Sequence, residues 1–205
     1  MAKQILVTIG REFGSGGHEI GKRLADKLGI KLFDRELLEV AARDSGLSRD
    51  LFEYHDEKPV NSLLYSLSVN PYSMGSIAGV PELPISHKLF LAQFEAIQKL
   101  AREQNCVIVG RCADYALRDF ADVFHVFIHA PLEYRIQTVM ERSGLDEAQA
   151  KEQVIKTDKK RAAYYNSYSD KKWGALQSYH LSVDSSLLGL DGTVELIAQA
   201  VRLRR

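Results

Sequence analysis

The stretch Ile9–Ala25, IGREFGSGGHEIGKRLA, decides how the chain folds. It follows an apolar run, ILVTI (residues 5–9), and leads into a segment in which Ile20, Leu24 and Leu28 recur at helical spacing until Gly29. An apolar run rich in β-branched residues, a glycine-rich turn and an amphipathic helix in direct succession make a strand–loop–helix unit. In such a unit the backbone N–H groups of the loop and of the first helical turn point toward one spot, and the helix dipole adds partial positive charge there. Gly10, Gly14, Gly16 and Gly17 permit the backbone angles and the close approach that an anion requires.

A phosphate-binding loop of the form G-x-x-x-x-G-K-[ST] carries a lysine for the β and γ phosphates and a hydroxyl for Mg²⁺. With Gly16 as its second glycine, this chain has Gly17 where the lysine belongs and His18 where the hydroxyl belongs, and Gly10 lies one residue too far upstream. Arg11, Ser15, His18 and Lys22 are the nearby groups able to replace the lost charge or hydroxyl. Lys22 is the weakest of these, because it sits more than a helical turn past the loop. Glu12 and Glu19 repel a triphosphate unless Mg²⁺ lies between; Glu19 also suits the first turn of a helix. No metal is expected to be held by the protein alone, with Ser15 or Glu19 as the candidate contact. The loop alone leaves open whether it is an anion site or merely a tight connection.

Working outward, CVIV (106–109) and VFHVFI (123–128) read as buried parallel strands, with YHLSV (179–183) and the very short KLF (31–33) as further candidates. Helical patterns fill the gaps: RELLEVAARDSG ending at Gly46, SHKLFLAQFEAIQKLAREQ, PLEYRIQTVMERSG with Pro131 at its start, DEAQAKEQVIKTDKKRAAYY and the closing TVELIAQAVRLR. Strand and helix alternate, which predicts a three-layer α/β fold with a central parallel sheet. The segment Lys58–Pro84 holds four of the five prolines and no sustained period. It interrupts the alternation and reads either as a substrate-side insertion or as a plain surface loop.

With 205 residues, 45% of them hydrophobic, the chain is expected to form one domain, 1–205, around a real core. Lys+Arg and Asp+Glu both number 27, so no overall basic field points to nucleic acid or an anionic membrane, and any anion site must be local. Cys106 and Cys112 flank VIVGR, a spacing that fits reduced buried thiols rather than a disulfide framework or zinc. The first residues, MAKQILVTIG, are too short for a signal peptide and no apolar segment reaches about 18 residues, so a soluble cytoplasmic protein is expected.

The run CVIVGRCADYALRDFADVFHVFIHAPLEYRIQTVMER reads as strand, Gly-Arg turn, short helix, strand and a Pro-capped helix carrying Glu133 and Arg135. With FDRELL near residue 34 and TDKKR at 157–161, it resembles the cytidylate kinases. The similarity is closer to the cytidylate kinase-like family, whose loop has this G-R-E-x-G-S-G-G form, and it extends to VDSSLLGLDGTVELI near the end of the chain. The resemblance implies a P-loop nucleoside monophosphate kinase fold with a phosphate-donor core, an acceptor side including the insertion at about 58–84, and a helical lid at about 145–175. It implies ATP-dependent phosphoryl transfer, assisted by Mg²⁺, to a small phosphorylated acceptor, CMP or dCMP. Gly14, Ser15 and Gly16 match the family's glycine loop, and Gly10, Arg11, Gly17 and His18 complete the candidate ATP-phosphate site. Asp34 and Arg35 match the acceptor side, Arg111 the arginine of a Gly-Arg-Asp turn, and Asp158 and Arg161 an Asp and Arg of the lid. Cys112 stands where that turn has its Asp, with Asp114 as the substitute partner for Arg111.

The chemistry fits these roles, since phosphoryl transfer needs the acceptor held in line and negative charge neutralised more than it needs covalent help. Blander readings stand beside them. Arg111, at the carboxyl end of a predicted strand, also reads as a surface arginine paired with Asp114 or Asp119. Asp34 and Arg35 fit a helix start, and Lys159, Lys160 and Arg161 fit a solvated helix face. Tyr164, Tyr165, Tyr168 and Trp173 read as packing more readily than as a stacking surface for a base. Two other functions remain open: a nucleotide-binding protein that senses without catalysing, and a kinase with a different acceptor.

Overall fold

A computed structural model describes residues 4–57 and 84–204; the segment Lys58–Pro84 singled out above lies outside them except for Pro84. Five strands form one sheet in the order β2-β3-β1-β4-β5: β1 (Leu6–Arg11), β2 (Lys31–Phe33), β3 (Cys106–Val109), β4 (Val123–His129) and β5 (Leu181–Asp184). All neighbours are parallel, with Leu6 opposite both Cys106 and Val123 and Ile9 opposite both Val109 and Val126. Among the described residues the α-helices are α1 (Gly17–Leu28), α2 (Glu36–Ser45), α3 (Arg49–His55), α4 (Ile85–Glu103), α5 (Ala113–Ala116), α6 (Leu132–Ser143), α7 (Glu147–Tyr168) and α8 (Ser185–Leu203).

The two-residue period of the strands sorts their side chains onto two faces. Leu6, Cys106 and Ile108 pack with Leu37, Phe52, Leu89 and Ile97 of α2, α3 and α4. Val7, Ile9, Val107, Val109 and Val126 pack on the other face with Ile20 and Leu24 of α1 and Val194, Ile197 and Val201 of α8. Helices therefore cover both faces, and the strands read as unbroken apolar runs because neither face meets water. The expected three-layer α/β fold is present. YHLSV begins two residues early, since β5 starts at Leu181. The final helix starts earlier than TVELI, at Ser185, and is interrupted at Gly189, whose φ of 62° is not helical. None of the helices among the described residues is long and apolar enough to cross a membrane.

Two connections place the site. The strand order puts β1 between β3 and β4, so the chain leaves β1 and β3 at adjacent positions on the carboxyl edge, where open α/β sheets bind ligands. The helical hairpin α6–α7 packs through Ile136, Val139, Ala150 and Val154, and Phe13 of the glycine loop packs against that cluster. Asp146 caps α7 by accepting from the Gln149 backbone while the Gln149 side chain accepts from the Asp146 backbone, a reciprocal pair that fixes the start of the helix.

Candidate active site

The loop between β1 and α1 is built on glycines for steric reasons. Gly14 (φ 84°) has the Arg135 carbonyl oxygen 2.7 Å from where a Cβ would stand, and Gly16 (φ 77°) meets the Leu190 side chain at 2.6 Å. A Cβ at Gly17 would lie 2.5 Å from that of Arg11. The loop is thus pressed between α6, α8 and Arg11 at the end of β1, with the N-terminus of α1 directed into the cleft.

Asp158 of α7 holds this loop from the side of the α6–α7 hairpin. Its Oδ1 accepts the Phe13 backbone N–H at 2.7 Å and its Oδ2 pairs with Arg135. Arg135, itself buried, also donates to the carbonyls of Ala130 at 2.9 Å and Phe13 at 3.2 Å and pairs with Glu12 at 3.3 Å. Arg142 and Arg161 lie 5.2 and 5.6 Å from the centre of the Phe13 ring, within cation–π range.

The second wall begins at the end of β3. Gly110, Arg111 and Cys112 have φ of 76°, 55° and 54°, three consecutive left-handed residues closed by Ala113 N–H donating to the Gly110 carbonyl at 3.1 Å. Two of the three are not glycine, and each such residue costs about 1–2 kcal/mol; strain of this kind persists only where surroundings hold it and it clusters at functional sites. The turn buries the Arg111 guanidinium, whose side chain is 2% exposed. Arg111 Nη1 donates to Asp34 Oδ1 at 2.6 Å, while Nε and Nη2 form a two-pronged pair with Asp56 at 2.9 and 2.8 Å.

A third cluster joins the walls. Glu57 accepts from Arg11 Nη1 at 2.6 Å and from Arg161 Nε at 3.0 Å, and Arg161 also donates to the Arg11 carbonyl at 3.2 Å. Burial raises the Glu57 pKa, but Arg11, Arg161 and Arg111 outweigh it and hold the carboxyl far below the usual carboxylate range. Burial likewise raises Asp34, and Arg111 more than offsets it, leaving the pKa lowered. For Asp56 burial prevails, with repulsion from Glu57 adding to it against the pull of Arg111, and the pKa is raised. Arg161 is lowered by burial and by neighbouring Arg11.

These walls enclose a cleft of about 630 Å³ that brings together Arg11, Gly14, Gly16, Gly17, His18, Glu19, Asp34, Arg35, Arg111 and Arg161 among the residues singled out from sequence. Four others stand elsewhere. Gly10 belongs to β1 and makes room for Phe127 and Tyr179, which a Cβ would meet at 2.8 and 3.2 Å, so its part is packing under the loop. The Ser15 hydroxyl is buried and donates to the carbonyls of Glu12 and Ile128, turned away from the cleft and from any metal there. Asp114 is no partner of Arg111: the left-handed turn carries it past the arginine, and its carboxylate accepts from the Tyr165 hydroxyl of α7. Asp158 lies behind the loop rather than facing the cleft.

Glu19 pairs with Arg23 at 2.8 Å on the exposed side of α1, as a first-turn acid does. His18 pairs with Asp34 at 2.7 Å. Asp34 is therefore no simple helix cap; Arg35 occupies the position before α2 in helical conformation. Arg111 is no surface arginine, and Asp119 lies beside Arg118 instead. Tyr164 and Tyr165 are buried, and Tyr168 stacks on Phe90 at 4.0 Å, which agrees with packing.

Asp56 and Glu57 are the residues that sequence reasoning missed. They follow α3, a short helix with a single buried residue, Phe52, which leaves no apolar period to read. The adjacent acids in EYHDEKP were the available signal. Arg142, near the end of α6, also lines the cleft without having been singled out.

Comparison with known proteins bears on the fold and the family. The crystal structure of an uncharacterised protein from Eubacterium ventriosum aligns with a TM-score of 0.74 at 30% identity, covering 98% of this chain and 100% of that one. Shikimate kinase from Bacteroides thetaiotaomicron aligns with a TM-score of 0.56 at 13% identity, covering 97% and 99%, a likeness of fold that marks the P-loop kinase architecture. A curated cytidylate kinase from Archaeoglobus fulgidus is 24% identical over 204 residues, 97% of this chain and 96% of that protein. A model of the cytidylate kinase-like family matches residues 6–187. That match runs from the first residue of β1 into α8 and takes in both walls of the cleft: the chain belongs to the cytidylate kinase-like family.

Proposed function

We propose that the cleft carries out ATP-dependent phosphoryl transfer to a small phosphorylated acceptor, CMP or dCMP by family resemblance. The observation that carries this reading is the convergence of the Arg11 and Arg161 guanidiniums and the Arg111 backbone N–H, from the ends of β1 and β3 and from α7, beside a glycine loop that offers backbone donors but no lysine. Charge that a P-loop lysine would bring along the donor phosphates is then supplied by guanidiniums from facing walls. Catalysis of this reaction rests on such positioning and neutralisation.

In this reading the loop from Gly14 to His18 cradles donor phosphates, Asp34, Arg35 and Arg111 face the acceptor, and Arg161 bridges toward the transferred group. Asp158 acts as a positioning residue, fixing Phe13 and Arg135 so that the loop keeps its shape. Mg²⁺ takes oxygen ligands and commonly needs only one or two carboxylates beside substrate phosphates and water. Both Asp34 oxygens are already engaged, by Arg111 and His18, and a histidine nitrogen at position 18 does not replace a hydroxyl, so substrate phosphates and water would supply most of the ion's ligands. When bound, the ion would neutralise charge between donor phosphates.

A coupled ADP-release assay over nucleoside monophosphates and small alcohols, with and without Mg²⁺, tests the proposal. Turnover with CMP or dCMP is the expected result. Turnover only with a different acceptor would reassign the acceptor. A rise in melting temperature with ATP, but no turnover with any acceptor, would leave nucleotide binding without catalysis.

A further inference from the structure

The group on which Arg11, Arg111 and Arg161 converge is a side chain of the same molecule. Glu57 Oε1 lies 2.6 Å from Arg11 Nη1 and 3.3 Å from the Arg111 backbone nitrogen; Oε2 lies 3.0 Å from Arg161 Nε and 3.4 Å from Arg11 Nη2. Two guanidiniums and a backbone amide, drawn from three elements, surround two oxygens. Guanidinium forks and backbone N–H groups are the donors that recognise phosphate oxygens.

The charges do not balance as they stand. Arg11 and Arg161 bring two positive charges and Glu57 returns one, in a cluster whose side chains are 11%, 14% and 15% exposed. A phosphate dianion would match both guanidiniums, and the displaced carboxylate would regain water. Glu57 is also, with Arg111 and Cys112, one of the non-glycine residues with positive φ among the described residues, at 49°, a conformation kept by its contacts and not by its own preference. Elsewhere on the cleft lining Glu12 pairs with Arg135 and Glu19 with Arg23, so Glu57 is the carboxylate that occupies Arg11 and Arg161. At this point of the cleft an anion reaches the two guanidiniums only by replacing Glu57.

We infer that Arg11, Arg161 and the Arg111 amide form a phosphate seat in which Glu57 is the resident stand-in, and that an incoming substrate phosphate binds by displacing it. The phosphate belongs to the donor or to the acceptor nucleotide; here the inference rests on the phosphotransfer reading, while the seat itself follows from the donor geometry. Glu57 then acts as an internal competitor that lowers the apparent affinity for the substrate. Substrate phosphate and Glu57 exclude one another.

Titration calorimetry of the full chain with inorganic phosphate, CMP and ATP in turn, for the native protein and Glu57→Gln, tests this. The expected result is that inorganic phosphate, and the nucleotide whose phosphate uses the seat, bind Glu57→Gln at least about tenfold more tightly, a shift of about 1.4 kcal/mol. Which nucleotide gains identifies the source. Equal or weaker binding of all three to a folded Glu57→Gln protein, with its fold verified by circular dichroism, overturns the seat and makes Glu57 a fixed strut. Should Glu57→Gln fail to fold, Glu57→Asp, which keeps the charge but withdraws the carboxylate by one methylene, must bind inorganic phosphate more tightly; unchanged affinity overturns the inference. Tighter phosphate binding without transfer to any acceptor would sink the phosphotransfer reading and leave the seat standing. Turnover with unchanged affinities would do the reverse.

Discussion

The glycine loop after β1 and the Gly110–Arg111–Cys112 turn after β3 lie side by side on the sheet edge, and they solve the same problem in opposite ways. The loop uses glycines in left-handed conformation and presents backbone, with its one inward hydroxyl, Ser15, spent on carbonyls beneath it. The β3 turn forces two non-glycine residues into the same region of backbone space and buries a full guanidinium. Shape resides in one element and charge in the other. A loop without lysine therefore does not imply a site without cations: Arg11, Arg111 and Arg161 stand on the facing walls, each already paired with a carboxylate.

Removing the charged half should have the largest effect. Arg111→Ala leaves Asp34 and Asp56 facing each other without their shared partner, and losing one member of a buried ion cluster costs about 3–5 kcal/mol. We expect a Tm fall of roughly 6–20 °C for a chain of this size and loss of acceptor-dependent turnover, read by calorimetry and the coupled assay. A variant with native Tm and native turnover would remove Arg111 from the site. Damaging the shaped half should cost somewhat less. Gly14→Ala brings a Cβ within 2.7 Å of the Arg135 carbonyl oxygen, about 1–3 kcal/mol of overpacking, and retains a left-handed φ. Here the ATP-induced rise in Tm should shrink, while the affinity for inorganic phosphate, held by side chains, changes little.

Asp158→Asn probes the tie between the α6–α7 hairpin and the loop. It replaces a charged acceptor shared by Arg135 and Phe13 N–H, and hydrogen bonds to charged groups contribute about 1.5–3 kcal/mol. A positioning role predicts that stability and ATP affinity fall together. A drop in kcat alone, with stability and affinity intact, would instead place Asp158 on the reacting groups.

The smallest effect concerns the floor under the loop, where Thr8 Oγ1 and His125 Nδ1 lie 2.8 Å apart and His125 stacks on His180 at 4.9 Å. Burial, with His180 and Lys171 nearby, pushes the His125 pKa down to about 3 from 6.5. Between those values the unfolded chain takes up a proton that the folded chain refuses, so this contribution to stability is intact above pH 6.5 and is lost as pH falls toward 3. His125→Gln should flatten the decline of Tm between pH 6.5 and 4.5; an unchanged slope would show that the histidine does not contribute to it.

How much of this was legible in sequence follows from which forces set each feature. CVIV at 106–109 is read to the residue because a strand buried on both faces must be apolar throughout. Arg111 is found through the family's Gly-Arg turn, and its place at a strand end, on the sheet edge that binds ligands, agrees with that. Its partners are not found that way. Asp114, three residues on, is the near choice in sequence, yet the left-handed turn sends it to Tyr165, while Asp34 and Asp56 arrive from residues 77 and 55 positions away. Glu57 reaches Arg161 across 104 positions. Ion pairs closed over such distances leave no periodicity, and α3, which delivers two of the acids, buries too little to announce itself. Ser15 matches the loop motif, but its hydroxyl direction depends on the Ile128 carbonyl of a neighbouring strand, which only the folded sheet supplies.

The central claim is that the positive charge of the phosphate site comes from the arginine walls and not from the loop. A crystal structure of the protein with a non-hydrolysable ATP analogue and CMP, in the presence of Mg²⁺, tests it most directly. The expected result is phosphate oxygens within hydrogen-bonding distance of the loop N–H groups between Gly14 and His18 and of Arg11, Arg111 or Arg161. Phosphates held by Lys22, or bound outside the cleft with all three arginines still on their carboxylates, would contradict the account.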